Sequence, residues 1–134
     1  MKPVAKPGLL LFAHGARDAQ WAQPFESVVA IVRQRRPEMP VELAFLEFMG
    51  PTLLDAGHRL AAAGCTRVDV VPLFLGAGGH VRRDLPVLLA DLAQAHGRIT
   101  WHLQMAIGEV STVVQAMAQA ALALADSHTP SDLK

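Results

Sequence analysis

The chain is 134 residues long, which fits one compact domain and is too short for two independent hydrophobic cores. Hydrophobic residues make up 51% of it and charged residues 18%, which excludes a mainly disordered chain. Twelve Lys and Arg residues balance twelve Asp and Glu residues, and this zero net charge argues against a nucleic-acid partner.

One cysteine and two short apolar segments set expectations for the location of the protein. Cys65 is alone, so it can form neither an internal disulfide nor a site of several cysteines, and a reducing cytoplasm is expected. The apolar run at 8–13 is too short for the core of a signal peptide. The alanine-rich segment at 113–125 is interrupted by glutamines and falls short of bilayer thickness, so no membrane span is expected.

The first predicted elements are a buried strand and a helix. The apolar run at 8–13 is unbroken, which is typical of a strand that is buried on both faces. Apolar residues then recur at helical spacing from Asp18 to about Arg36. Pro24 lies in this stretch, and because proline clashes with the preceding turn, the helix either starts near Gln23 or kinks there.

A second strand and helix follow at 40–46 and from Pro51. Proline is favoured in the first turn of a helix, and Gly64 is the predicted stop. The helical spacing predicts that the following residues face inward: Leu53, Leu54, Gly57 and Leu60.

The third strand is predicted at 67–75 and is followed by the glycine-rich segment 76–79 and by His80. Asp84 is the predicted cap of the next helix, which ends at 96–97. Its inward-facing residues are predicted to be Leu85, Leu88, Leu89 and Leu92.

The last elements are an edge strand and an amphipathic helix. Segment 99–105 alternates apolar and polar residues, which indicates a strand with one wetter face. A final helix is predicted from the helical spacing of Val110, Val113, Val114, Met117, Ala121 and Leu124. We therefore expect one α/β domain over residues 1–126 and a flexible tail over 127–134.

Four alternating strand–helix units predict a four-stranded parallel sheet with helices on both faces. The expected arrangement is doubly wound and flavodoxin-like, with strand order 2-1-3-4. In such sheets ligands bind beyond the carboxyl ends of the strands, where the winding reverses between strands one and three. This rule selects the segments that follow those two strands.

Two histidines and one carboxylate are predicted to converge at that point. His14 follows strand one and His80 follows strand three, each in a loop flanked by glycine, and Glu47 ends the adjacent strand two. Imidazole and carboxylate groups bind divalent first-row metals and also accept protons. Glu47 could instead cap the helix near Pro51, because carboxylates favour helix N-termini.

The other histidines and Cys65 are interpreted as structural. The four histidines concerned are His58, His96, His102 and His128. The glycines of 76–79 lack dinucleotide-binding spacing, and no P-loop lysine follows them. A flexible loop after the apolar segment 72–75 suits a large, flat, partly apolar ligand. Carboxylates on such a ligand could be met by the flanking arginines Arg17, Arg82 and Arg83.

Three segments of the chain together resemble the short form of the CbiX family, the sirohydrochlorin chelatases within the class II chelatases. The segments are 13–18 (Ala-His-Gly-Ala-Arg-Asp), 41–47 (Val-Glu-Leu-Ala-Phe-Leu-Glu), and 71–75 continued through Gly78-Gly79-His80 to Asp84 and Pro86. The resemblance spans nearly the whole chain. It implies a chelatase-like fold, and it departs from the family pattern at Ala16, where serine is frequent.

The resemblance implies insertion of a divalent metal into sirohydrochlorin, in cobalamin or siroheme-type biosynthesis. His14 and His80 match the family's metal-binding histidines, with His14 as proton acceptor, and Glu47 matches its acidic site residue. Residues Phe74, Leu75, Gly76, Ala77, Gly78 and Gly79 match the loop that lies against the tetrapyrrole. The metal is a substrate, Co²⁺ by family resemblance with Fe²⁺ and Ni²⁺ as alternatives, and no permanently bound cofactor is expected.

The small size of the chain predicts a homodimer, because one such domain offers only one wall of a tetrapyrrole cleft. Apolar residues at the crevice rim, including Phe48, Met49 and Leu85, are expected to be shared between subunits.

Other functions use the same residues differently. A metal or tetrapyrrole carrier would need the two histidines without turnover. A histidine phosphatase is a poorer match, because Ala13 stands where its Arg-His-Gly motif has arginine. A signalling receiver domain would need acidic residues after strand one, where this chain has His14.

Overall fold

A computed structural model describes residues 4–76 and 78–127, with the backbone alone at 79–81. The strands are β1 (Pro7–Ala13), β2 (Val41–Phe45), β3 (Arg67–Pro72) and β4 (Thr100–Leu103). The α-helices are α1 (Gln23–Arg35), α2 (Leu53–Ala62), α3 (Gly79–Ala95) and α4 (Ser111–Asp126). Short 3-10 helices lie at Ala19–Ala22 and Ile107–Glu109.

The four strands form one parallel sheet in the order β2-β1-β3-β4, as the sequence predicts. Leu11 at the centre of β1 aligns with Leu43 of β2 and with Val71 of β3. β4 pairs with β3 alone and is the edge strand. Because β1 and β3 are neighbours, the segments that follow them emerge side by side at the carboxyl edge of the sheet.

One face of the sheet is covered by α2 and α3 and forms the main core. Leu10 and Phe12 of β1 and Val68 and Val70 of β3 are fully buried there. All eight leucine and glycine positions predicted to face inward on these helices are buried in this core or packed against it. Gly57 allows the helices to approach closely, because a Cβ at this position would collide with the side chain of Leu92.

The opposite face is covered by α1 and has a smaller core. Leu11, Val29 and Val41 are its buried residues. The final helix α4 has the predicted helical conformation, yet none of its residues is buried. Only one of the four α-helices is therefore packed on this face of the sheet.

The ends of three elements refine the sequence predictions. α1 begins at Gln23 with Pro24 in its first turn, so the prediction of a start near Gln23 is confirmed. β3 ends at Pro72 and not at Leu75, although one further backbone bond follows it, in which the N–H of Leu73 donates to the carbonyl of Phe12 at 2.7 Å. The prediction that Asp84 caps the third helix is wrong: α3 begins at Gly79, with Gly78 at the capping position.

Cys65 is buried, as expected of a small structural residue. Burial raises the pKa of its thiol, which keeps the sulfur protonated and unreactive near neutral pH. Among the helices of residues 4–76 and 78–127, none is both long enough and apolar enough to cross a membrane. The predicted tail lies almost entirely outside the described residues.

Candidate active site

The ends of β1 and β2 are joined by backbone hydrogen bonds that place His14 beside Glu47. The N–H of Leu46 donates to the carbonyl of Ala13 at 2.9 Å, and the N–H of Glu47 donates to the carbonyl of His14 at 3.0 Å. These bonds continue the parallel ladder past the end of each strand. Both side chains are exposed at the carboxyl edge of the sheet.

Gly15 makes this close approach possible. Its φ of +91° lies in the left-handed region that side chains disfavour, and a Cβ there would collide with the carbonyl oxygen of Glu47. The glycine after His14 is therefore required by the turn and by the contact with Glu47. This contact fixes the backbone conformation at His14 and so the position from which its imidazole projects.

Phe74 supports the His14 ring from the core side. The two ring centroids are 4.2 Å apart, with an interplanar angle of 32°. Phe74 itself is 2% exposed, so it is a buried platform, whereas the imidazole is open to solvent. No side chain of the described residues hydrogen-bonds to the ring nitrogens of His14, which leaves them available to a metal ion or a proton.

The structure answers the question of whether Glu47 caps the second helix. Thr52 is the capping residue of α2, and its hydroxyl accepts a hydrogen bond from the N–H of Asp55 at 3.1 Å. Glu47 is thus left exposed beside His14. Next to it, Phe48 adopts a φ of +70°, and the Arg17 guanidinium lies 5.0 Å from the centre of its ring.

The segment after β3 reaches the same edge. Leu75 is 73% exposed, and Gly76 and Gly78 are also exposed, as a surface loop against a flat ligand requires. Ala77 lies outside the described residues. His80 is in the first turn of α3, so the expectation that it lies in a loop is wrong, because the helix starts earlier than Asp84. The side chain of His80 is not among those that the structure describes.

Residues that follow β4 contact the segment after β3 and hold it in place. The N–H of Gly108 donates to the carbonyl of Phe74 at 2.9 Å, and a Cβ at Gly108 would collide with the backbone of Leu75. Arg82 forms an ion pair with Glu109 at 3.3 Å. The backbone that carries Phe74 is thereby held between β1 and the 3-10 helix Ile107–Glu109.

The described side chains include no cluster of three or more His, Cys, Asp or Glu residues that could hold a metal ion. His14 and Glu47 supply two neighbouring groups of the expected ligand type, and His80 stays a prediction.

Of the three apolar residues predicted at the rim of the crevice, the structure places two there and buries the third. Phe48 is 58% exposed and Met49 is half-buried, so both are accessible at the crevice. Leu85 is buried in the core between α3 and the sheet, and the prediction that it is shared between subunits is wrong.

Two of the remaining histidines bond to each other at the opposite end of the sheet. Nδ1 of His58 and Nε2 of His96 are 2.5 Å apart, and the rings meet edge to face. His102 lies on β4. His128 lies outside the described residues.

Sequence reasoning missed the Phe74 platform, the Arg17–Phe48 contact and the bracing by Gly108. Only Gly108 left a signal, since an isolated glycine between a strand and a helix frequently marks a close backbone approach. The other two contacts depend on side-chain positions that no spacing in the sequence encodes.

Comparison with known proteins places the chain in a family. The CbiX family model matches residues 8–123. A sirohydrochlorin cobaltochelatase of Methanococcoides burtonii is 29% identical over 96 residues, which are 71% of this chain and 73% of that protein.

Two solved structures share the fold. A putative cobalamin biosynthesis CbiX protein from Marinobacter aquaeolei superposes with a TM-score of 0.79 at 29% identity, covering 90% of this chain and 98% of that one. The sirohydrochlorin chelatase SirB from Bacillus subtilis, in complex with cobalt, gives a TM-score of 0.76 at 25% identity. That match covers 93% of this chain and 56% of the longer SirB chain.

Proposed function

The chain belongs to the CbiX family, and from this membership we propose that it inserts a divalent metal ion into sirohydrochlorin. The observation that carries the proposal is the exposed His14 imidazole, seated on Phe74 and beside Glu47 at the reversal point of the sheet. A sirohydrochlorin cobaltochelatase and a cobalt-bound sirohydrochlorin chelatase are among its relatives, and Co²⁺ is the metal we propose.

The reaction exchanges protons for a metal. Two pyrrole N–H bonds break, the macrocycle nitrogens replace the water and protein ligands of the ion, and the two protons pass one to a base on the protein and one to water, so that charge and atoms balance. The protein must therefore hold an ion loosely and accept protons at the same place. We propose that His14 does both in turn: it delivers the ion and, once its ring nitrogen is free, accepts a pyrrole proton.

The surroundings of His14 suit a flat macrocycle. Leu75, Gly76 and Gly78 offer exposed backbone and one apolar side chain, against which we propose that the tetrapyrrole lies. Arg17 is exposed near the rim and is the right partner for a substrate carboxylate. Gly79, His80 and Ala77 complete the predicted site.

We further propose that the protein acts as a homodimer in the cytoplasm. The exposed ring of Phe48 and the half-buried Met49 border the site and could contact a second subunit. A single cysteine that is kept as a buried thiol is compatible with a reducing compartment.

The proposal is tested by the visible absorption spectrum of sirohydrochlorin, followed over time with Co²⁺, Fe²⁺ or Ni²⁺. Native protein is expected to accelerate insertion over many turnovers, and a His14→Ala, His80→Ala variant is expected to lose this acceleration. The control is a His58→Ala, His96→Ala variant, which removes two imidazoles elsewhere. Binding of sirohydrochlorin without acceleration would support a carrier and contradict the chelatase.

A further inference from the structure

The rim of the site contains one strained backbone position. Phe48 has a φ of +70°, and among residues 4–76 and 78–127 it is the only residue other than glycine with a positive φ. A bulky aromatic residue is disfavoured in this left-handed region, which glycine and asparagine tolerate better. Strained conformations of this kind cluster at functional sites, where the surrounding structure maintains them.

The ring of Phe48 lies outside an apolar cluster that is close to it in the chain. Met49, the next residue, packs against the cluster of Ala13, Ala22 and Phe45, whereas Phe48 is 58% exposed. Burial in such a cluster is the more favourable environment for a phenylalanine ring. Apolar packing therefore does not explain the position of this ring.

The ring of Phe48 instead supports the guanidinium of Arg17. The guanidinium carbon lies 5.0 Å from the ring centroid, within the range of a cation–π interaction. The side chain of Arg17 forms no hydrogen bond or ion pair with any of the described residues. Its acidic neighbour Asp18 accepts the N–H of Gln20 at 2.9 Å. The aromatic face thus holds the guanidinium and leaves its N–H donors unused.

Arg17 and Phe48 belong to the two segments that form the site. Arg17 is three positions after His14, and Phe48 directly follows Glu47. The two segments are joined where the N–H of Glu47 donates to the carbonyl of His14 at 3.0 Å. The unused donors of Arg17 are therefore available at the same edge of the sheet as the exposed imidazole.

We infer that Phe48 is a positioning residue, whose ring holds Arg17 ready to bind a carboxylate of the tetrapyrrole. This inference rests on the proposed function and deepens it, because it names the substrate group that is recognised and the residue that prepares its partner. A guanidinium with free donors binds a carboxylate through two parallel N–H···O bonds. Holding the side chain in place beforehand reduces the entropy lost on binding. The strain at Phe48 thus lowers stability and improves affinity.

The first test measures binding alone, with no metal ion present. Uroporphyrin I, a flat tetrapyrrole with eight carboxylates, is titrated into the full-length protein and followed by its Soret absorption. Phe48→Leu removes the aromatic face and keeps apolar bulk, and it is expected to weaken binding by about five- to tenfold. Phe48→Tyr keeps the face and is expected to bind like the native protein. Val87→Ala, which removes a similarly exposed apolar side chain from α3, is the control that should change nothing.

A double-mutant cycle shows whether Phe48 acts through Arg17. Arg17→Gln removes the charge and is expected to weaken uroporphyrin binding by about tenfold or more. In that background Phe48→Leu is expected to cause no further loss, because no guanidinium remains for the ring to hold. Mesoporphyrin IX, which has only two carboxylates, is expected to lose less affinity than uroporphyrin in each single variant.

The backbone strain gives an independent measurement. Phe48→Asn relieves the left-handed conformation and removes the ring, so its melting temperature is expected to equal or exceed that of the native protein while uroporphyrin binding weakens. A lower melting temperature with unchanged binding would assign the ring to packing and overturn the inference. Sedimentation checks that every variant keeps the oligomeric state of the native protein.

Three binding results would also overturn the inference. A native protein that does not bind uroporphyrin recognises no such carboxylates. A Phe48→Leu variant that binds as tightly as the native protein shows that the ring does not position Arg17. An equal loss from Phe48→Leu with and without Arg17→Gln shows that the ring acts on the ligand directly.

The inference and the proposed function fail in different experiments. A protein that inserts metal, and whose Phe48→Leu variant binds uroporphyrin normally, contradicts the inference alone. A protein that shows the expected coupling between Phe48 and Arg17 but does not accelerate insertion contradicts the chelatase alone.

Discussion

The histidines of this molecule occur in two environments, which differ in whether the ring nitrogens already have a hydrogen-bond partner. His58, within α2, and His96, at the end of α3, bond to each other and occupy one nitrogen each. His14 is stacked on a buried phenylalanine, and no described side chain bonds to its nitrogens. The first environment uses imidazoles to connect helices, and the second presents one to solvent at the sheet edge where ligands bind.

Backbone position decides the role of a histidine in this molecule. His14 follows a strand and precedes Gly15, whose positive φ turns the chain over Glu47. His58 lies inside α2 and His96 ends α3, where a neighbouring helix is within reach. Of these three histidines, only His14 combines a backbone fixed at a strand end with ring nitrogens that no described side chain occupies.

The largest expected effect comes from removing the ring of His14. His14→Ala is expected to lower the rate of metal insertion by about 100-fold or more, because it removes a proton acceptor and a metal ligand together. Thermal unfolding should be unchanged, since the ring is exposed. A His58→Ala variant should keep its rate within about twofold, and equal losses in both variants would show that His14 has no special role in insertion.

The backbone under His14 can be disturbed without touching its side chain. Gly15→Ala forces a Cβ into the Glu47 carbonyl and into a left-handed backbone, so it is expected to destabilise the fold by about 1 to 3 kcal/mol. Insertion should slow as well. Gly76→Ala is the matched control, because no atom lies within 4 Å of its Cβ position. Urea unfolding measures the stability of the two variants. A Gly15→Ala protein as stable as the native one would contradict the close approach of Gly15 to the Glu47 carbonyl.

The stacking platform gives a smaller and more specific effect. Phe74→Leu is expected to cost about 1 to 2 kcal/mol of stability and to slow insertion by about tenfold, because the imidazole loses its support. Leu60→Val, in the same core on α2, should cost about 1 kcal/mol with no change of rate. If both variants lowered the rate equally, the stacking on His14 would have no separate role.

The smallest effect is expected at the paired histidines. His58→Ala and His96→Ala should each cost about 0.5 to 1.5 kcal/mol, and the double variant should cost less than their sum, since one bond is lost in every case. A urea double-mutant cycle measures this coupling. Additive losses would show that the two rings do not interact in solution.

The sequence predicts the strand order and the position of the site, but not every helix start or every packing contact. The alternation of strands and helices predicts the order β2-β1-β3-β4, and the reversal rule then selects the segments that carry His14 and His80, with Glu47 at the end of the adjacent strand. The start of α3 was missed because Asp84 has the properties of a cap, although Gly78 precedes a longer helix. Periodicity identified the apolar face of α4 and gave no information about what covers it.

The pairing of His14 with Phe74 depends on tertiary packing. Phe74 lies after the end of β3 and returns to the core, so its ring meets that of His14 from a segment 60 positions away in the chain. Local spacing cannot encode such a contact. The same holds for Leu85, whose burial removes it from the rim that its position near the crevice suggested.

The central claim is that His14 at the sheet edge is where the metal ion binds. Its most direct test is a titration of the full-length protein with Co²⁺ alone, followed by NMR signals of the ¹⁵N-labelled histidine rings. The account predicts that paramagnetic cobalt broadens the His14 ring signal first, before those of His58 and His96. Selective broadening of the His58 and His96 signals, with that of His14 unchanged, would contradict it.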